Sequence, residues 1–158
     1  METKPNLITV NGLPIVVANF NWSVGVLMEK FLKALAQKKF LASKCPSCGY
    51  TYAPARNRCG KCATKMEEKD LLEIPGKGTL VSYCLANVEL DGKGSFSDLK
   101  TPKMIAAVNL DGANSTLFMP LEEIDPKNLK IGMKVELAWN AETKGGWKDI
   151  KYLKPAKA

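Results

Sequence analysis

Two Cys-x-x-Cys pairs constrain this chain more than any other feature. Residues 45–62 read CPSCGYTYAPARNRCGKC and hold Cys45, Cys48, Cys59 and Cys62, with ten residues between the pairs. Each pair presents two thiolates to one side of a metal ion, and the loop between them brings the second pair to the other side. Four sulfurs complete a tetrahedron and leave no position for water, so we predict a structural and not a catalytic site. Zinc is the predicted metal; iron in a rubredoxin-like site, or two disulfides, are the alternatives.

The rest of the sequence suggests a reducing compartment for these cysteines. No apolar run approaches the roughly 20 residues of a transmembrane helix, so no membrane association is expected. The N-terminal apolar stretch is broken by Asn11-Gly12 and Pro14 and has no basic segment before it, unlike a signal peptide. We therefore expect a cytoplasmic protein, in which paired cysteines bind metal more often than they form disulfides.

The positive charge is concentrated in the N-terminal half. The net charge is +7; residues 21–70 hold ten Lys/Arg and four Asp/Glu, whereas residues 71–158 hold twelve and eleven. A basic face attracts nucleic acid, phosphorylated cofactors or an acidic protein surface, and a solvated lysine-rich helix is the structural alternative. The chain has no histidine, the commonest general base, so a stand-alone enzyme is disfavoured.

The pattern before the cysteines predicts an N-terminal extension and a helix. Residues 1–20 contain two apolar β segments around Asn11-Gly12, a pair typical of a type I′ hairpin over residues 7–17. Residues 21–41 predict an amphipathic helix of about five turns, capped by Ser23 and ending near Lys39. Its stripe, which packs within the protein or serves a partner, comprises Val24, Leu27, Met28, Phe31, Leu32 and Leu35.

The segments after the helix predict a metal module at 42–66 and a β domain at 71–154. Asp125-Pro126 predicts a short helical turn between the third and fourth strands, and five strands so interrupted are typical of an OB-fold barrel. The segment 91–103 is predicted to be a long loop, mobile or functional. The five strands are expected at about 79–90, 104–110, 115–121, 133–140 and 147–153.

A few side chains outside the cysteine pairs could carry chemistry, and each has an ordinary structural explanation. Cys84 lies in a predicted strand and is expected to be a buried thiol. Trp139 and Trp147 could stack on a ligand, but aromatic side chains of this kind more often pack the barrel or its rim. Tyr50 and Tyr52 alternate within the metal loop and are expected to cover it.

The order of these motifs resembles domain-of-unknown-function 35, a family of acyl-CoA-associated zinc-ribbon/OB-fold proteins. The resemblance runs from about Trp22 to Tyr152. Ala55 departs from it, because a second proline is common there, and Cys84 stands where threonine is common. The motifs that carry the resemblance are Trp22, Phe31-Leu32-x-x-Leu35, Cys45-Pro46-x-Cys48-Gly49, Pro54-x-Arg56, Cys59-x-x-Cys62, Gly76-x-Gly78-Thr79-x-x-Ser82-Tyr83, Thr101-Pro102 and Asp125-Pro126-x-x-Leu129-x-Ile131-Gly132-Met133-x-Val135.

The resemblance implies a mainly β protein in which an N-terminal helix and a rubredoxin-like zinc ribbon precede a five-stranded OB-fold barrel. It also implies a non-catalytic accessory protein of acyl-CoA enzymes. In some archaea such proteins bridge a thiolase to hydroxymethylglutaryl-CoA synthase, and the OB-fold helps to hold the CoA arm.

Binding of acyl-CoA would need contacts to its phosphates. Arg56, Lys77 and Lys103 are the candidate contacts, because they lie near glycine or proline turns. The alternative function is binding of single-stranded nucleic acid, since zinc ribbons and OB-folds both serve it. A nearly neutral barrel half and a total of two arginines stand against that alternative.

Overall fold

The first described element is a short helix. The computed structural model describes residues 23–90 and 95–156, so the predicted hairpin of residues 7–17 lies outside the described residues. Helix α1 (Val26–Leu35) has ten residues, and Gly25, with φ of 79°, precedes it without a side-chain cap. The predicted Ser23 cap and five-turn length are therefore wrong. Lys38 takes φ of 57°, a left-handed conformation that turns the chain into the next strand instead of continuing the helix.

The apolar stripe of α1 packs within the protein. Leu27, Phe31 and Leu35 are buried. The ring of Phe31 lies 5.0 Å from that of Phe40 and 5.1 Å from that of Trp147, as expected for rim packing of Trp147. These three residues of the stripe therefore join the helix to the rest of the protein, whereas Val24, before the helix, is exposed.

Three short strands form the sheet of the metal ribbon. They are β1 (Phe40–Lys44), β2 (Thr51–Tyr52) and β3 (Leu71–Ile74), in the antiparallel order β2-β1-β3. Because β3 follows the cysteine region and pairs with β1, both ends of the cysteine loop leave from one sheet.

Five further strands form a barrel. The sheet order is β6-β5-β4-β7-β8, and a parallel bridge between Leu121 and Leu153 joins its two ends. A short 3-10 turn precedes β7, and the Asp125 carboxylate accepts a hydrogen bond from the amide of Lys127, as predicted. The number of strands and the OB-fold arrangement are confirmed, but the start predicted for the last strand is wrong, because Trp147–Asp149 form a 3-10 turn and the strand begins at Ile150. The strands are β4 (Lys77–Leu90), β5 (Phe96–Leu110), β6 (Thr116–Pro120), β7 (Lys134–Trp139) and β8 (Ile150–Pro155).

The predicted loop at 91–103 is wrong, because β5 begins at Phe96. The antiparallel ladder continues to the pair Leu90 and Phe96, while β7 accompanies β4 only as far as Thr79. Residues 85–90 and 96–104 therefore extend from the barrel as a two-stranded arm. An irregularity between Ala86 and Val88 accommodates the extra residues of β5, so the strand resumes beyond it.

One core joins the helix, the ribbon sheet and the barrel. Phe31, Phe40 and Leu80 belong to the same cluster of buried residues, and Trp139 packs against it, as predicted. Gly78 lets β4 approach β5, because an added Cβ would lie 2.5 Å from the carbonyl oxygen of Asn109. No helix within residues 23–90 and 95–156 is long and apolar enough to cross a membrane.

Candidate metal centre and barrel surface

The four cysteines of the ribbon converge on one point. The Sγ atoms of Cys45, Cys48, Cys59 and Cys62 all lie within 4.8 Å of one another. The pairs Cys45–Cys62 and Cys48–Cys59 are each 3.5 Å apart. In a tetrahedral site with Zn–S bonds of about 2.3 Å, the sulfur atoms lie about 3.8 Å apart. The spacing in this cluster therefore fits a metal ion bound by four cysteine sulfurs. Structural metal binding is therefore supported by the geometry.

The two Cys-x-x-Cys pairs have the same backbone conformation. The amide of Gly49 donates to the carbonyl of Cys45 at 2.9 Å, and the amide of Ala63 donates to the carbonyl of Cys59 at 3.0 Å. Both donor residues have a left-handed backbone conformation, with φ of 72° at Gly49 and 56° at Ala63. Only the first pair has a glycine where the turn requires one, so the second pair holds an alanine in a strained conformation.

Tyr52 connects the metal centre to the rest of the ribbon. Its hydroxyl accepts a hydrogen bond from the amide of Gly60 at 2.8 Å and donates to Sγ of Cys59 at 3.4 Å. The guanidinium of Arg56 lies 4.6 Å from the centre of the ring, and the Tyr50 ring lies 4.7 Å away. The two tyrosines therefore cover the metal loop, as predicted, and Tyr52 also orients a ligand.

Hydrogen bonds lower the pKa of two of the thiols. The hydroxyl of Tyr52 is the main reason that the pKa of Cys59 falls to about 6. The hydroxyl of Thr64 lowers the pKa of Cys62. The amide of Tyr50 acts to lower the pKa of Cys48, but desolvation and the neighbouring sulfurs outweigh it and raise that pKa to about 11. Because metals bind thiolates, Cys59 and Cys62 are the better prepared ligands.

The loop between β5 and β6 fastens the ribbon to the barrel. The amide of Asn114 donates to the carbonyl of Thr51, and the Asn114 side chain accepts from the Thr51 amide, both at 2.9 Å. The hydroxyl of Ser115 accepts from the Ala53 amide at 2.8 Å and donates to its carbonyl at 3.1 Å. The sequence pattern identified this loop only as a turn, because contacts between residues about sixty positions apart leave no local signal.

The structure separates two of the three predicted phosphate contacts. Lys77 opens β4, whereas Lys103 lies opposite Ala86, nine residues further along the same strand. At about 3.3 Å per residue the two lysines are roughly 30 Å apart, so they cannot both contact one phosphate. Lys103 also pairs with Glu89 at 2.7 Å. Arg56 lies in the ribbon, on the Tyr52 ring.

Cys84 is exposed, so the prediction of a buried thiol is wrong. Leu80 is buried in the barrel, and regular alternation from it would also turn Cys84 inward. A bulge between Leu80 and Ser82 adds one residue and reverses the direction of the side chains that follow. Cys84 therefore points outward, on the same face as Ile105, with which it pairs.

Cys84 belongs to a shallow groove, which we call the outer barrel face. The groove has a volume of about 440 Å³ and includes Phe118, whose side chain is 70% exposed. None of its lining side chains is charged. They are Val81, Ser82, Tyr83, Cys84, Ile105, Ala107, Thr116 and Phe118.

Fold and site together define a zinc-ribbon/OB-fold protein, and comparison with known proteins gives its family. Residues 32–67 match the family model for the ChsH2 rubredoxin-like zinc ribbon domain, and residues 72–140 match that for the ChsH2 C-terminal OB-fold domain. A solved DUF35-family protein of unknown function from Sulfolobus solfataricus superposes with a TM-score of 0.61 at 26% identity, over 84% of this chain and 87% of that one. The chain belongs to the DUF35 family.

Two further relatives are similar over much of the chain. A DUF35 domain-containing scaffold protein from Methanocaldococcus jannaschii is 32% identical over 94 residues, or 59% of this chain. The match spans 62% of that relative's length, less than two thirds of it. The structure called Ltp2-ChsH2(DUF35) aldolase shares the fold, with a TM-score of 0.56 at 22% identity, over 80% of this chain and 91% of that one.

Proposed function

We propose that this protein is a non-catalytic scaffold for an acyl-CoA enzyme of the thiolase type. The relative from Methanocaldococcus jannaschii is named a scaffold protein, and the ChsH2 fold neighbour is part of an aldolase. Both names support a role in binding an enzyme partner. The observation that carries the proposal is the outer barrel face, because an uncharged groove with an aromatic side chain at its rim is typical of a protein-binding surface.

In this proposal the metal centre has a structural role, which is to stabilise the ribbon. We propose that Cys45, Cys48, Cys59 and Cys62 bind Zn²⁺, which would cross-link the ribbon and, with four sulfur ligands, keep no position open for a substrate. Elemental analysis should find one zinc ion per chain. A red preparation with iron in place of zinc would contradict the choice of metal.

The enzyme is proposed to dock on the outer barrel face through Phe118. Phe118 lies within strand β6 of the barrel, and its side chain is 70% exposed. The residue that pairs with it on β5 is the small Ala107. Exposed aromatic side chains beside small residues are frequent anchors in protein interfaces. The absence of charge from the groove also argues against nucleic acid, which needs cations along the backbone path.

A finer proposal concerns the second enzyme and the ligand. As the family resemblance implies, the scaffold would bridge the thiolase to hydroxymethylglutaryl-CoA synthase, and the barrel would help to hold the CoA arm. Arg56, Lys77 and Lys103 remain the proposed phosphate contacts. Because Lys77 and Lys103 lie far apart, each would have to contact a different part of the bound complex.

The docking proposal is tested with the purified zinc-loaded protein and the thiolase encoded by the same genome. We expect saturable binding by calorimetry and a changed rate of acyl-CoA turnover by the thiolase. Phe118→Lys should weaken binding about tenfold or more, as expected for an aromatic anchor. Leu85→Lys, an equal change at another exposed apolar residue, should leave binding unchanged.

Two results would contradict the proposal. One is a thiolase that neither binds nor changes its turnover. The other is retention of a labelled single strand with an affinity that falls steeply with salt, which would favour the nucleic-acid alternative. The CoA contacts are tested separately, by comparing CoA affinity of the complex before and after Arg56→Gln, Lys77→Gln and Lys103→Gln.

A further inference from the structure

Within residues 23–90 and 95–156, strand β4 has a long edge on the side of β7 that is not paired. The ladder with β7 involves Lys77–Thr79, and the last hydrogen bonds at this edge join Leu80 to Met133 at 2.9 Å and Gly132 at 2.8 Å. From Val81 to Leu90, no residue in the described ranges hydrogen-bonds to this edge. Ten residues at about 3.3 Å each leave a row of amides and carbonyls roughly 33 Å long without a strand beside it.

The composition of this edge favours pairing. The segment Val81–Leu90 reads VSYCLANVEL, with Glu89 as its single charge and with neither lysine nor proline. Edge strands of stable monomers are usually protected by such residues. The outer edge of β5 in the same arm is protected, since the segment 98–103 contains an aspartate, two lysines and a proline. In the part of the chain that the structure describes, the outer edge of β5 is thus protected by charge and proline, whereas the edge of β4 has no strand beside it.

We infer that β4 pairs in antiparallel fashion with β4 of a second copy of this chain. A copy that covers Val81–Leu90 would carry its own arm tip to Leu80, where the neighbouring Ile131 is 70% exposed. The tip supplies Leu90 and Phe96, which pair with each other and are exposed. The apolar tip of each copy therefore meets the apolar Ile131 of the other. Such an arrangement is two-fold symmetric and closed, so it yields a dimer and not a filament.

The exposed apolar area near this edge is comparable to the apolar area that such a dimer buries. The exposed parts of these side chains amount to something on the order of 600 Å², given aromatic side-chain areas of about 150–250 Å². A stable interface buries about 800 Å² on each partner, and in homodimers about 65% of it is apolar. The side chains concerned are Val81, Tyr83, Leu85, Val88, Leu90, Phe96 and Ile131.

The first test is the mass of the zinc-loaded full chain by analytical ultracentrifugation. We expect about twice the chain mass of 17.3 kDa. Leu85→Lys would place like charges beside the two-fold axis and should weaken dimerisation about tenfold or more. Phe118→Lys adds the same charge on the outer barrel face and should leave the dimer intact. Circular dichroism melts of both variants establish that each is folded.

The second test uses Cys84, which lies near the middle of the pairing edge. Diagonal neighbours across an antiparallel pair are about 7–8 Å apart, within reach of a bismaleimide with a spacer of about 8 Å. The zinc-loaded native protein should give a covalent dimer on a denaturing gel, and neither Cys84→Ser nor Leu85→Lys should do so. The Cys84→Ser control excludes cross-linking through the ribbon cysteines.

Three results would overturn the inference. One is a native protein that is monomeric and gives no cross-link. The second is a dimer that survives Leu85→Lys but is lost in Phe118→Lys. The third is a monomer in which the thiolase slows hydrogen exchange at amides between Leu85 and Leu90, which lie outside the outer barrel face; this would assign the edge to the enzyme. Thiolase binding by Phe118→Lys and by Leu85→Lys is measured separately, so failure of the dimer and failure of the proposed scaffold function are distinguishable.

Discussion

The outer part of the ribbon and the barrel are held together by different means. In the ribbon, Cys45, Cys59, Tyr52, Leu27 and Met66 form a separate cluster of five buried residues, and two of these are metal ligands in our proposal. The main cluster has nineteen buried residues and extends from the helix and the ribbon sheet through the barrel. The ribbon sheet and the middle of the cysteine loop, with Ala53 and Ala55, thus share the barrel's core, whereas the two cysteine turns are expected to depend on the metal.

The largest expected effect comes from removing a metal ligand. Cys45→Ser should abolish zinc retention and unfold the two cysteine turns, residues 45–50 and 57–66, because zinc binding to small modules contributes about 10–16 kcal/mol. The ribbon strand β1 should stay folded, since Phe40 and Ala42 lie in the main core. Zinc content after dialysis and the amide resonances of the loop measure the effect.

The matched control for this substitution is Cys84→Ser, which removes an exposed thiol outside the ribbon. It should retain one zinc ion and the native spectrum. An unchanged zinc content in Cys45→Ser would show that the four sulfurs are not the metal site.

The second-largest effect is expected from a substitution in the core of the barrel. Leu80→Ala removes a side chain that is fully buried in the main core and should lower the free energy of unfolding by about 2–5 kcal/mol. The neighbouring Val81→Ala, on an exposed side chain, should change it by no more than about 0.5 kcal/mol. Denaturant titration gives both values, and equal losses in the two variants would refute the predicted position of the core.

A smaller effect should follow from loosening one ligand without removing it. Tyr52→Phe deletes the hydroxyl that contacts Sγ of Cys59 and the amide of Gly60, so zinc affinity should fall about 10–100-fold. Tyr50→Phe deletes a hydroxyl that donates to the carbonyl of Asn114 instead, and should leave zinc affinity unchanged. Competition with a chromophoric chelator measures both, and an equal loss in the two variants would contradict a role for Tyr52 at the ligand.

The smallest expected effect concerns backbone strain in the two cysteine pairs. Ala63→Gly relieves a left-handed alanine and should stabilise the ribbon by about 1 kcal/mol, whereas Gly49→Ala introduces the same strain and should destabilise it by a similar amount. Thermal melts of the zinc-loaded variants should therefore shift in opposite directions. Shifts of the same sign would mean that the two pairs are not conformationally equivalent.

Local patterns in the sequence predicted most of the barrel and the composition of the metal site. The cysteine spacing identified the cluster, and Asp125-Pro126 identified the turn before β7. The errors share a cause, which is that they depend on interactions between distant segments. The helix ends early because the chain must turn at Lys38 to place Phe40 beside Phe31.

The errors in the barrel have the same origin. A periodicity of two predicts that Cys84 faces inward, and only the bulge at Val81, which depends on pairing with β5, reverses it. The segment 96–103 has charges and a proline, so it resembled a loop, although it pairs with β4. The hydrogen bonds of Asn114 and Ser115 to the ribbon could not be predicted, because a turn residue gives no sign of a partner sixty positions away.

Hydrogen exchange before and after chelation tests most directly whether the ribbon loop and the barrel are stabilised separately. The zinc-loaded chain is compared with the same protein after addition of a strong chelator, by mass spectrometry of peptides. We predict that amides of the two cysteine turns, residues 45–50 and 57–66, lose protection, while those of β5 and β7 keep it. Loss of protection throughout both regions, or in neither, would contradict a metal-dependent loop on a self-sufficient barrel.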